Sequence, residues 1–189
     1  MNSLAHQYDT DIKTELIDGV IYAMSSPTFK HNKVAFRIAK IFDNYLSGKN
    51  CEVVQTFNLQ LTEKDQFIPD VMVVCRQDII KDDAVYGVPD IVVEVLSPAT
   101  AKRDKGYKKN LYARCGVKEY WLVDTNNRSI EVYYNTDGTY ELHDIYQIYP
   151  DYVIKSMTDD EKAAVVYEFK TLLFDDLLIK VEDVFDGIA

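Results

Sequence analysis

The chain has 189 residues, 47% of them hydrophobic, which is enough for one domain with a packed core. No run approaches the about 18 apolar residues of a membrane helix, and the opening MNSLAHQYDT lacks the apolar stretch of a signal peptide, so no membrane association is expected. The net charge of −10 argues against a general nucleic-acid binder.

That charge is uneven. Residues 137–189 hold 13 acids and 4 bases, whereas residues 1–136 hold 18 and 17. Within the near-neutral part, Lys102–Lys118 carries seven bases and one acid, which is either a phosphate-binding patch or a solvated helix face. Cys51, Cys75 and Cys115 are far apart, with no zinc spacing and no disulfide pattern. They read as reduced core residues of a cytoplasmic protein.

Thr14–Ile17 and Val20–Met24 flank Asp18-Gly19, a two-residue hairpin signal. Glu15 alternates with Ile17, which can turn it to the core face, but an ordinary exposed strand acid is the reading preferred for it. Ser25-Ser26-Pro27-Thr28 breaks the chain and starts a helix. Val34, Ile38, Ile41 and Tyr45 then recur at helical spacing up to Gly48. His31 lies on that stripe and is read as a satisfied structural histidine. Cys51–Leu61 alternates, and Thr62-Glu63-Lys64-Asp65 turns it into a strand over Ile68–Cys75. A polar connection over Asp78–Tyr86 leads to the strand Asp90–Leu96, which Ser97-Pro98-Ala99-Thr100 ends. A helix begins near Arg103 and closes at Gly116. Glu119–Asp124 is a further core strand, with Asp124 in a turn role. Ile130–Tyr134 and Thr139–Tyr146 form a hairpin, and Val165–Leu173 and Leu177–Val181 read as strands. The tyrosines of this part suit cross-strand packing. Exposed edges and aromatic ribbons make a homodimer the expected assembly.

The chemistry concentrates in Ile68–Tyr112. Val71–Val74 and Ile91–Val95 are almost wholly apolar, as in strands covered on both faces. Alternation puts Asp70 on the face of Met72 and Val74, and Glu94 on the face of Val92 and Leu96. A carboxylate in such a strand needs a partner or a metal. If the strands are neighbours, the two carboxylates share a site, and Mg²⁺ or Mn²⁺ prefers oxygen ligands. In the next helix Leu111, Tyr112 and Cys115 make the apolar stripe. Lys108, three, four and seven residues earlier, lies on it, and Lys105 flanks the same face. Ser97 and the backbone of its turn can bind phosphate or simply shape the turn. Asp104 is read as a helix-start residue suited to the dipole, not as a ligand.

Pro69-Asp70, then Glu94, then a lysine is similar to the PD-(D/E)XK nuclease pattern. The wider text resembles the Uma2 family, bacterial proteins with a restriction-endonuclease-like fold. The matching pieces are ELIDG at Glu15–Gly19, His31 before a helix, PDVMVV, VPDIVVEVLSPAT, the spaced Asp104 and Lys108, and YARCGVKEYWLVD. They run in order over roughly Thr14 to Asp124.

The resemblance implies an α/β (α+β) fold, with a mixed β-sheet core and flanking helices. It would be a single domain over 1–189, with its core at about 14–134 and a C-terminal β extension at about 135–189. It implies a Mg²⁺- or Mn²⁺-dependent endonuclease acting on DNA. Asp70, Glu94 and the backbone carbonyl of Val95 would bind the metal, and Lys108 would orient water or stabilise the growing negative charge. Glu15, His31, Ser97 and Lys105 are the secondary candidates. In one respect the chain departs from the pattern: the lysine normally stands two residues after the acid, where this chain has Leu96, so Lys108 would act from the following helix. The other reading is a non-catalytic module that binds nucleic acid or protein on the same scaffold, because a fold does not fix a function. No phosphate-loop glycine pattern or CxxC supports an NTPase or a redox enzyme.

Overall fold

The computed structural model describes residues 13–188. The first hairpin forms as its sequence predicts. β1 (Thr14–Ile17) and β2 (Val20–Ala23) pair around Asp18 and Gly19, whose φ values of 49° and 76° are the left-handed ones such a turn demands. Thr28 caps α1 (Phe29–Leu46) by accepting the His31 N–H at 3.2 Å. Val34, Ala35, Ile38, Ala39, Phe42 and Leu46 form the buried face of this helix.

The strand expected over Cys51–Leu61 is divided, and the one expected over Ile68–Cys75 begins later, after an additional short strand. β3 (Glu52–Gln55) and β4 (Leu59–Thr62) part at Thr56, whose φ is 50°, and enter different sheets. β5 (Asp65–Phe67) and β6 (Val71–Val74) flank Ile68-Pro69-Asp70. Pro69 has no N–H to give a ladder, so Asp70 precedes its strand rather than lying within it. A 3₁₀ turn at Gln77–Ile79, β7 (Val85–Tyr86) and β8 (Ile91–Val95) follow. The next helix is built in three parts: α2 (Ala101–Arg103), a π-helical turn over Asp104–Lys108, and α3 (Lys109–Cys115). Gly116, at φ 96°, caps it as its position predicts.

β9 (Glu119–Asp124), β10 (Ser129–Thr136) and β11 (Thr139–Gln147) come next. The sequence reading places no helix after them, yet α4 (Asp151–Ser156) and α5 (Asp159–Ala164) form there. Thr158 and Glu161 make a capping box that starts α5. β12 (Glu168–Lys170), β13 (Leu178–Lys180) and α6 (Val181–Phe185) complete the described chain.

The fold is a mixed α+β arrangement. Its main sheet runs β11-β10-β9-β8-β6-β3, with β8 and β9 parallel and the other pairs antiparallel. A second sheet runs β2-β1-β5-β4-β7. On one face of the main sheet, Val71, Val73, Ile91, Val93, Trp121 and Val123 pack with α1 and with Phe169, Ile179 and Val184 of the C-terminal part. On the other face, Met72, Val74, Val92, Tyr120 and Leu122 meet Ile17, Leu59 and Phe67 of the second sheet and Leu111 and Tyr112 of α3. Two covered faces account for the unbroken apolar runs of β6 and β8. Each fully buried aliphatic side chain contributes about 1.5–3 kcal/mol of transfer free energy.

Cys51 and Cys75 are joined in a disulfide, which corrects the reading of three reduced cysteines. β3 pairs Glu52 with Val74, so the next step of the ladder is Cys51 with Cys75, Cα atoms 3.9 Å apart. The antiparallel return closes a separation of 24 residues. Cys115 is free. A cytoplasmic location inferred from reduced cysteines loses that support. No helix among the described residues is long and apolar enough to cross a membrane.

Candidate functional site: a buried lysine among carboxylates

β6 and β8 pair Val71 with Val93 and Met72 with Val92. One further step of that register sets Asp70 opposite Glu94, so the two strands that carry the acids are neighbours. Asp70 Oδ1 lies 2.8 Å from His31 Nε2, and Oδ2 accepts the Val95 N–H at 2.7 Å. The His31 and Asp70 side chains keep 14% and 17% exposure, which makes this the side of the site that solvent reaches. His31 is satisfied, as expected, but its partner is a candidate metal ligand.

Lys108 is 2% exposed. Its Nζ donates to Glu15 Oε1 at 2.7 Å and to Glu94 Oε1 at 3.1 Å, and it lies 3.5 Å from Asp104 Oδ1. The Phe67 ring centre is 5.2 Å away. Tyr112 OH donates to Glu94 Oε1 at 3.1 Å, and the Ile68 N–H donates to Glu15 Oε1 at 3.1 Å. The helical stripe thus brings Lys108 to Glu94 as its spacing predicts. Glu15 is 2% exposed, not an exposed strand acid. Ile17, on the same face of β1, packs in the core between the two sheets, so that face is covered. Asp104, read as a dipole residue, is 1% exposed and belongs to the cluster. Its four-residue spacing to Lys108 is the signal that could have placed it there. Tyr112 was legible only as a core residue.

Burial pushes the Glu94 carboxyl well above the usual carboxylate range; Lys108 opposes this, while Asp104, Asp70 and Glu15 add to it. Burial also raises Asp104, again against the pull of Lys108. For Lys108 itself burial disfavours the charge, but Glu94, Glu15 and Asp104 outweigh it and raise its pKa. The ammonium therefore stays protonated at neutral pH. Burial, and next to it the Glu94 charge, raises Tyr112, so its hydroxyl remains a donor.

Two secondary candidates stand apart. Lys105 pairs with Glu131 at 2.9 Å, on the outer side of the helix. The Ser97 hydroxyl is engaged with Thr100, Oγ to Oγ1 at 3.0 Å, and accepts the Thr100 N–H at 3.2 Å, which shapes the turn before α2. Asp124 has its turn role, accepting the Asn126 and Asn127 N–H groups.

The donors around Asp70 and Glu94 are carboxylate oxygens, which suit a hard cation. Asp104 Oδ1 is buried without a hydrogen-bond partner, a further oxygen of the same kind. Among the described residues, however, no three His, Cys, Asp or Glu side chains converge as a metal-binding group. The donor chemistry fits the ion; a closed cage does not form.

This α+β architecture has a solved counterpart. The structure matches the crystal structure of "a putative nuclease belonging to DUF820" from Anabaena variabilis ATCC 29413 with a TM-score of 0.72, covering 93% of this chain and 91% of that one. At 16% identity the likeness is one of fold. The chain belongs to the Uma2 family, described as "Putative restriction endonuclease", which it matches over residues 3–155. It is 34% identical over 128 residues to the uncharacterized protein slr1290 of Synechocystis sp. (strain ATCC 27184 / PCC 6803 / Kazusa), covering 66% of this chain and 67% of that protein. A second uncharacterized protein of that organism, sll1609, is 29% identical over 126 residues, covering 64% and 71%.

Proposed function

We propose that this protein hydrolyses phosphodiester bonds of DNA in a metal-dependent reaction. The observation that carries this reading is the buried Lys108 ammonium, held by Glu15 and Glu94 one strand register from Asp70. Asp70 and Glu94, with the Val95 carbonyl, would hold Mg²⁺ or Mn²⁺. A bound ion supplies a water of lowered pKa and neutralises charge at the phosphate.

The chain's own groups have separable roles. Lys108 stays charged, so it acts as a donor to the negative charge that develops on the phosphate, not as a base. Glu15 and Asp104 fix the position of that ammonium. Tyr112 holds Glu94, and His31 holds Asp70 at the solvent side. Attack by water at phosphorus breaks one P–O bond and leaves a phosphate end and a hydroxyl end.

Calorimetric titration of Mg²⁺ and Mn²⁺, with and without a short DNA duplex, tests the metal site. Wild type is expected to bind the ion, and Asp70→Ala and Glu94→Ala to lose it. Binding indifferent to both substitutions would remove the assignment. The non-catalytic module is favoured by one observation, that Lys108 is buried with its charge already matched by Glu15, Glu94 and Asp104. Absence of ion binding even with duplex present would select that second reading.

A further inference from the structure

The Lys108 ammonium is engaged by Glu15, Glu94 and Asp104 and is assigned to the reacting phosphate, so gripping the neighbouring phosphates of a nucleic-acid backbone falls to another group. The bases of Lys102–Lys118 differ in how they are engaged. Lys105 pairs with Glu131 and Lys118 with Asp90, at 2.9 and 2.8 Å. Lys109 lies over the Tyr133 ring, 3.4 Å from its centre, within the field of Glu131. Lys102 and Arg114 are exposed. Arg103 is half-buried, with its guanidinium carbon 4.9 Å from the centre of the Tyr22 ring. Its Nε is buried without a hydrogen-bond partner. Among the described residues it makes no ion pair.

The stack adjoins the cluster through both of its members. Tyr22 is the cross-strand partner of Glu15 in the β1–β2 ladder. Directly opposed residues of antiparallel strands share a face, so Tyr22 stands on the face that carries Glu15. Arg103 immediately precedes Asp104, at the start of the π turn. Tyr22 is 37% exposed, so the pair forms an edge of the site that solvent reaches. An arginine laid on a ring is held in orientation while its in-plane N–H groups stay available to a planar or tetrahedral anion. A buried N–H left unpaired is a standing cost that an incoming acceptor relieves.

We infer that Arg103, braced by Tyr22, is a clamp for a backbone phosphate next to the reacting bond. Its fork donates to two oxygens of one phosphodiester, which a lysine at this position cannot match. The inference rests on the nuclease reading for the polymer to which the phosphate belongs.

The test is fluorescence anisotropy with short labelled single-stranded and duplex DNA, in EDTA so that no cleavage occurs, across a salt series. Arg103→Gln is expected to weaken binding about tenfold and to flatten the dependence of log affinity on log salt by about one contact. Arg103→Lys should weaken binding while keeping the salt slope, and it decides the matter if the glutamine variant does not fold. Tyr22→Leu should weaken binding with the slope unchanged. Lys81→Gln, an exposed lysine beyond the 3₁₀ turn, should change nothing but a small share of the slope. Unchanged affinity in folded Arg103→Gln and Arg103→Lys overturns the clamp and leaves the nuclease reading standing. Failure of the wild type to bind either DNA overturns both. Binding that depends on Arg103, without metal-dependent cleavage, keeps the clamp and moves the protein to the binding-module class.

Discussion

Lys108 is a single buried cation facing three acids, and that imbalance defines the residue scale. Lys108→Met leaves Glu15, Glu94 and Asp104 around an apolar side chain. Breaking a buried pair by removing one partner costs on the order of 3–5 kcal/mol. Urea unfolding should show a midpoint reduced accordingly, and an unchanged midpoint would refute the burial of that charge. A further buried acid lies away from the site. Glu119 accepts the Trp121 indole N–H at 2.8 Å and the Leu172 N–H at 2.9 Å, tying the C-terminal segment to β9. Burial raises its pKa from 4.5 to about 7 despite those bonds. Between those values the unfolded chain has released a proton that the folded chain keeps. The stability it contributes is therefore fully present below pH 4.5 and is lost as pH rises through 7, by about 3 kcal/mol. Unfolding at pH 5 and pH 8 should show this loss in wild type and a smaller one in Glu119→Gln; equal losses would contradict it. Asp70, Glu94 and Lys108 were legible because period-two and helical patterns place them. Glu15 was not, because its partner Lys108 comes from a distant element; Asp104 was read as a dipole residue although it stands four residues before Lys108.

At the scale of elements, local signals read well where the chain alone decides. Asp18-Gly19 and Gly116 adopt the left-handed conformations their positions require. The division at Thr56 was illegible, because alternation continues through it while the chain changes sheets; the late start of β6 was signalled by Pro69. The capping box of α5 was visible in Thr158 and Glu161 but sits in a segment without a strong apolar stripe. The π turn brings Asp104 and Lys108 within 3.5 Å, and the Tyr120 hydroxyl donates to the Asp104 carbonyl at 3.0 Å. Such turns recur at functional sites. The β3–β6 ladder makes its own prediction. Thiol titration in denaturant without reductant should find only Cys115 reactive, and three reactive thiols would contradict the pairing. Cys51→Ser should lower stability by about 3 kcal/mol, the loop-closure value for this separation.

Over the whole molecule, two covered faces of one mixed sheet set Asp70, just before β6, and Glu94 of β8 against a lysine from the following helix. Charge is sorted on the same scale: the acidic excess lies in residues 137–189, while the part that carries the site is near neutral. An acidic protein can therefore present a site for a polyanion, with the clamp at Arg103 supplying a local cation. Because that attraction is local, binding to DNA should weaken with salt less steeply than for a basic protein making 6–10 phosphate contacts. The most direct measurement is single-turnover cleavage of labelled DNA with Mg²⁺ or Mn²⁺ by wild type, Asp70→Asn and Glu94→Gln, substitutions that keep side-chain volume. Cleavage that requires the ion and is lost in both variants is the predicted result. Cleavage that persists in EDTA or in either variant, or no cleavage of single-stranded or duplex DNA by wild type, would contradict it.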